Sequence, residues 1–232
     1  MFEYVTDKKL LKSTYSQSAN VVNQLSQRLR NAGLDAQMNL VGSGLRKMVT
    51  RNGKGPFDYD FNLLITNAES FGGREIKECV RENYNEILNW NDWEDCTDST
   101  SVLTARPNSK SCFSIDLCIV KRDAYGKIHR LIHDKTGVVN LDQYYWNAMP
   151  DSGNLAEKEE RLKSEHWLEV RNVYLDKKNM YLKRQDIYHK SFVCYIEAVN
   201  EVYNKYFGLN LTKTINVVNV SCNGIFGVDL IR

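Results

Sequence analysis

Phe57-Asp58-Tyr59-Asp60-Phe61-Asn62-Leu63-Leu64-Ile65 is the stretch on which the fold turns. Alternation places Asp58, Asp60 and Asn62 on one face of a strand and Tyr59, Phe61 and Leu63 on the other. Two carboxylates two residues apart project the same way and repel each other, and burying them without compensation is costly. A strand with one solvated face would carry such aspartates harmlessly. Leu63-Leu64-Ile65, however, continues apolar on both faces, as in a central strand. A divalent cation resolves the conflict, because hard oxygen ligands are what Mg²⁺ prefers.

Outward from this strand, Leu40-Val41-Gly42-Ser43-Gly44 is an apolar strand end running into a small-residue turn. Downstream, Cys112-Phe113-Ser114-Ile115-Asp116-Leu117-Cys118-Ile119-Val120 is a second strand whose sole charge is Asp116. A lone aspartate there serves either as a buried hydrogen-bonding partner or, beside the Asp58–Asp60 strand, as the third ligand of a metal site. The loop Arg46–Pro56 between the first two motifs is basic and glycine-bearing, which suits either holding phosphate or plain solvation, and it reads as solvated.

The remaining elements follow from periodicity. Leu11, Tyr15, Ala19, Val22, Leu25 and Leu29 form one helical face, with Gly33 as the stop. Ala36–Val41 reads as a strand and Arg74–Leu88 as a helix burying Ile76, Val80 and Tyr84. Ser101–Ala105 is a further strand, and Ala124–Lys127 is a hairpin turn returning through Ile128–Ile132. From about Leu155 two helical stripes replace the strands: Trp167, Val170, Tyr174, Tyr181, then Phe192, Tyr195, Val199, Val202, Tyr206, with Gly208 as a stop. A final strand pair over Val217–Val220 and Ile225–Ile231 is also expected. The fold class is therefore α+β: a mixed sheet flanked by helices, then a helical C-terminal region. Asn140–Gly153 is the best boundary, dividing a core of residues 1–139 from a helical region of 140–232.

Composition agrees with a globular chain: 42% hydrophobic and 26% charged residues among 232, with only 3 prolines and no low-complexity tract. No apolar run approaches the roughly 20 residues that cross a bilayer, and the N-terminus lacks a signal-peptide pattern. The six cysteines (Cys79, Cys96, Cys112, Cys118, Cys194, Cys222) include no CxxC pair and read as reduced thiols, which points to the cytoplasm.

Gly-Ser, then Asp-x-Asp on a strand, then a later Asp on another strand, in that order, resembles the polymerase-beta-like nucleotidyltransferase superfamily. Asp58 follows Ser43 by 15 residues and Asp116 follows Asp58 by 58, gaps of the size seen in its oligoadenylate and cyclic-dinucleotide synthase group. The resemblance spans Leu40 to Val120, and the three motifs together are far more specific than any one. It implies a metal-dependent transfer of a nucleoside monophosphate from an NTP to an acceptor, with release of pyrophosphate. Asp58, Asp60 and Asp116 would be the catalytic ligands of Mg²⁺ (or Mn²⁺), and Gly42 and Ser43 would hold the triphosphate.

The same resemblance implies a helical region that closes over the nucleotide and supplies cations. Lys163, Arg171, Lys177, Lys178, Lys183 and Arg184 are the candidates, mostly interleaved with glutamates as ordinary helix charges. Arg171 and Lys178, seven apart and so on one helical face, are the nucleotide-binding choices. His166 and His189 have no partners at metal spacing and receive no role. Tyr144-Tyr145-Trp146, near the boundary, either lines a cleft or anchors the two halves together. The acceptor stays open among a nucleotide, a small molecule and RNA. A synthase of cyclic or linear oligonucleotides fits the motif spacing, whereas the length suits a small antibiotic-modifying or toxin-like transferase. The net charge of +2 argues against a polymerase acting on RNA. The alternative function is a catalytically silent nucleotide sensor of the same fold, a reading that the retention of all three carboxylates disfavours; a third is a purely structural protein with coincidental aspartates.

Overall fold

A computed structural model describes residues 1–149, 154–186 and 189–208. Two compact units emerge, Met1–Gly153 with Lys178–Tyr188, and Asn154–Lys177 with His189–Arg232. Nine strands and six α-helices are found among the described residues: β1 Phe2–Tyr4, α1 Lys8–Asn31, β2 Ala36–Leu40, α2 Gly42–Leu45, β3 Thr50–Asn52, β4 Phe57–Ile65, α3 Gly73–Trp90, β5 Thr97–Asp98, β6 Leu103–Ala105, β7 Phe113–Arg122, β8 Ile128–Asp134, β9 Gln143–Ala148, α4 Leu155–Lys163, α5 Trp167–Lys183 and α6 Ser191–Phe207. The class is α+β, as expected.

The first unit is built on a seven-stranded mixed sheet. β4 lies between β2 and β7, and only the β4–β7 pair is parallel. Along its other edge β7 pairs first with β6 and, further on, with β8, which in turn pairs with β9. A separate ribbon of β1 and β3 joins the N-terminus to the Arg46–Pro56 loop.

Helices α1 and α3 pack on one face of this sheet because their apolar stripes have nowhere else to go. Val22, Leu25 and Leu29 of α1 and Ile76, Val80, Tyr84 and Leu88 of α3 are almost fully buried, together with Tyr59, Phe61, Leu63, Ile115, Leu117 and Ile119 of the strands. Each large side chain so buried contributes about 1.5–3 kcal/mol, which fixes which face of β4 and β7 turns inward. A one-residue slip would drive Asp58 and Asp60 into that core, so the same apolar residues that stabilise the fold also set the carboxylates on the opposite face. Asp7 caps α1, its Oδ1 accepting from the backbone N–H of Lys9 and Leu10 at 2.9 and 3.0 Å. Gly33, at φ +90°, turns the chain out of the helix toward β2.

A charged cluster is sealed on the helical side. Lys77 of α3, 3% exposed, pairs with Asp98 of β5 at 2.9 Å. His133 of β8 bridges Asp98 (Nδ1–Oδ2 2.8 Å) and Asp142 (Nε2–Oδ2 3.1 Å), and its ring stacks on Tyr144. Tyr144 and Trp146 of β9 pack against the core, and Tyr145 between them is exposed. The aromatic triplet thus covers the sheet of the first unit.

The second unit is helical. Leu155, Leu162, Val170, Tyr174, Cys194, Tyr195, Ala198, Val199 and Val202 are buried, whereas Phe192 and Tyr206, expected on the apolar stripe, are exposed. Tyr206 uses its hydroxyl instead, donating to Glu169 at 2.7 Å. Gly208 follows α6, as its spacing indicated. The strand pair expected over Val217–Ile231 lies outside the described residues. Among the described residues, no helix is long and apolar enough to cross a membrane.

Candidate metal and nucleotide site

Three carboxylates meet on the open face of the sheet. Asp58 and Asp60 share that face by alternation, and the parallel pairing of β4 with β7 sets Asp60 beside Asp116. One carboxylate oxygen from each lies within 4.8 Å of the others. Asp58 stands exposed at the rim, while Asp60 and Asp116 are half-buried.

Such closeness is costly without a counter-charge. Two unit charges at that separation repel by on the order of 3 kcal/mol at an effective dielectric constant near 20. Loss of hydration, more than any other cause, pushes all three carboxyls above the ordinary range. Asp60 is raised furthest, to about 7, by burial and then by the charges of Asp58 and Asp116. Lys178 and Arg46 oppose the rise at Asp60, as the hydroxyl of Thr104 and the charge of Arg106 do at Asp116, yet both carboxyls stay elevated.

The turn after β2 closes against this cluster. The backbone N–H of Val41 donates to the carbonyl of Asp60 at 2.9 Å, which draws Gly42 over the Asp60 side chain. A Cβ on Gly42 would lie 2.1 Å from Asp60 Oδ2, and its φ of +63° is one that L-residues rarely adopt. Glycine is therefore required twice at this position, for space and for conformation. Ser43 follows in the first turn of α2.

All donors in the cluster are hard oxygens, and the nearby Lys178, Arg46 and Arg106 leave their carboxyls still raised. The residues present fit a divalent cation of the Mg²⁺ or Mn²⁺ type.

The other predicted residues divide. Lys178, 8% exposed, belongs to the first unit; its Nζ donates to Thr50 Oγ1 at 2.7 Å and lies 4.1 Å from the centroid of the Phe2 ring. Its charge acts on both Asp58 and Asp60. Arg171 is half-buried in the second unit. Lys163 and Lys177 are engaged in ion pairs with Glu160 and Glu201, as ordinary helix charges are. The Arg46–Pro56 loop is not uniformly solvated. Arg46 donates to the Gly42 carbonyl at 3.1 Å and acts on Asp60, while Asn52, Gly53 and Lys54 are exposed.

Thr104 was not singled out by sequence. It sits on β6 opposite Asp116 in the antiparallel register, and its Oγ1 donates to Asp116 Oδ1 at 2.7 Å. The signal was present but slight: a single polar residue between Leu103 and Ala105, both fully buried.

This arrangement, a mixed sheet with one parallel pair flanked by helices, is a fold shared with several solved structures. Solved structures with the same fold include CdnC of Escherichia coli MS115-1 with ATP (TM-score 0.55, 13% identity, 85% of this chain and 61% of that one). They also include DncV of Vibrio cholerae in a 3'-deoxy GTP bound form (TM-score 0.55, 14% identity, 73% and 45%). The STING-associated CdnE c-di-GMP synthase of Capnocytophaga granulosa is similar as well (TM-score 0.57, 15% identity, 90% and 65%). The chain spans less than two thirds of the length of each of these three. At such identities the likeness is one of fold. No protein-family profile matches the chain, nor does any curated protein sequence.

Proposed function

We propose that the chain is a metal-dependent nucleotidyltransferase that moves a nucleoside monophosphate from an NTP to an acceptor hydroxyl or phosphate and releases pyrophosphate. One observation carries this reading: Asp58, Asp60 and Asp116 converge within 4.8 Å on the sheet face overlooked by Gly42. The solved structures of like fold support an NTP donor, since those of CdnC and DncV hold ATP and 3'-deoxy GTP and that of CdnE is a c-di-GMP synthase.

Asp58 and Asp60 would hold the cation that accompanies the triphosphate, and Asp116 would hold a second. Such cations supply charge stabilisation at the attacking and leaving oxygens of the in-line displacement. Gly42 and Ser43 present backbone N–H groups and a hydroxyl to the phosphates, at a position where a side chain larger than hydrogen would strike Asp60. Lys178 places a buried positive charge beside the carboxylates. The acceptor oxygen bonds to the α-phosphorus, and its proton passes to Asp116. The bond from the α-phosphorus to the bridging oxygen breaks, and its electron pair leaves with pyrophosphate. All of these residues belong to the first unit. The five cysteines among the described residues are free thiols, which suits the cytoplasm.

Labelled donors test this. Label at the α-phosphate of an NTP is expected to enter the product, while label at the γ-phosphate leaves in pyrophosphate. Transfer of the γ-label to product would overturn the reading in favour of a kinase.

A further inference from the structure

On the reading above, Asp116 takes part both in holding a cation and in receiving a proton, so the orientation of its carboxylate matters. The torsion that turns an aspartate carboxylate about its own axis is broad, and nothing intrinsic to the residue selects one setting. On β7 that freedom is met by Thr104, which hydrogen-bonds to the carboxylate, beside the longer-range charge of Arg106. Thr104 faces Asp116 directly across the β6–β7 ladder. Leu103 and Ala105, both at 0% exposure, lock the short β6 strand so that Thr104 points to the site face. Threonine is β-branched and stiff about its first torsion, so its hydroxyl is held in direction as well as in place. The 2.7 Å bond to Oδ1 then restrains the rotation of the carboxylate.

We propose that Thr104 is a positioning residue, whose hydroxyl orients Asp116 for cation binding beside Asp58 and Asp60. Thr104 is half-buried, and its hydroxyl is committed to Asp116. A hydroxyl that orients a metal-binding carboxylate acts at one remove, and loss of such a partner commonly weakens metal affinity about 10–100-fold.

The test is the affinity of the metal-free protein for Mn²⁺ alone, with free Mn²⁺ read by electron paramagnetic resonance. Thr104→Val keeps shape and branching but has no hydroxyl, and is expected to bind Mn²⁺ about tenfold more weakly than wild type. Thr104→Ser restores the donor and is expected to bind as wild type does. Melting in EDTA reports on the fold, and Thr104→Ala provides the same contrast should the valine variant not fold. Valine binding as tightly as wild type, or serine as weakly as valine, overturns the role of Thr104 while leaving the carboxylate site in place. A wild-type protein that does not take up Mn²⁺ overturns the carboxylate site itself, and the role of Thr104 with it.

Discussion

Replacing Asp60 with asparagine is expected to stabilise the metal-free protein while removing its response to Mg²⁺. Burial, and then the charges of Asp58 and Asp116, push the Asp60 carboxyl from 3.8 to about 7. A carboxyl raised in this way is favoured protonated in the folded state. Its stabilising effect is present below about pH 4 and is lost as the pH climbs through about 7. At about 1.4 kcal/mol per pH unit, holding the charge at about pH 8 costs at most roughly 4 kcal/mol. Asp60 is half-exposed, and solvent screening reduces that figure to roughly 2 kcal/mol. An asparagine side chain carries no charge and escapes the cost. For a chain of this size each kcal/mol moves the melting point by about 2–4 °C, so Asp60→Asn melts about 4–8 °C above wild type in EDTA at about pH 8. The gap closes near pH 4, where the wild-type carboxyl is protonated. Adding Mg²⁺ to about a hundred times its dissociation constant raises wild type by about 2.7 kcal/mol and leaves the variant unmoved. Differential scanning fluorimetry at two pH values, with and without Mg²⁺, reads all four quantities. A metal-free asparagine variant that melts at or below wild type at both pH values would refute the argument that these carboxylates are held together at a cost.

Gly42→Ala places a methyl where it would meet Asp60 Oδ2 at 2.1 Å and forces a non-glycine residue to φ +63°. The backbone alone costs about 1–2 kcal/mol, so a lower melting point and loss of Mn²⁺ binding are expected together; unchanged Mn²⁺ affinity would show that the glycine does not shape the site. At Asp98, burial favours the neutral form, yet Lys77, His133 and Lys135 outweigh it and hold the carboxyl below the usual range. The stability it contributes is present above its unfolded pKa of about 4 and is lost as pH falls through the lower folded value. Asp98→Asn strands the buried Lys77 and is expected to cost about 3–5 kcal/mol at neutral pH in urea unfolding, with a smaller penalty near pH 3; a penalty that does not change with pH would contradict the pairing.

Much of this was legible in the sequence, for a physical reason. The helices α1 and α3 and the strands β2, β4, β7 and β8 lie where the pattern put them, although on α1 Tyr15, expected on the apolar face, is exposed and the small polar Thr14 and Ser18 are buried instead. Alternation alone put Asp58 and Asp60 together. That Asp116 stands beside Asp60 depends on the parallel register of β4 and β7, which no local pattern encodes. The strands β1, β3 and β5 are too short to show a period. In β9 both faces carry aromatic or amide side chains, so hydropathy does not alternate along Gln143–Ala148 even though burial does. Thr104 and Arg46 become visible only through what they touch. Phe192 and Tyr206 are apolar by type and exposed in fact, because a stripe of aromatics on a helix does not say which of them finds a partner.

The most direct test of the central claim is pyrophosphate release from each of the four NTPs with Mg²⁺ or Mn²⁺, comparing wild type with Asp60→Asn and Asp116→Asn. Metal-dependent release by wild type, absent from both variants, is the predicted result. Equal release by wild type and either variant would contradict the assignment of these carboxylates to nucleotidyl transfer.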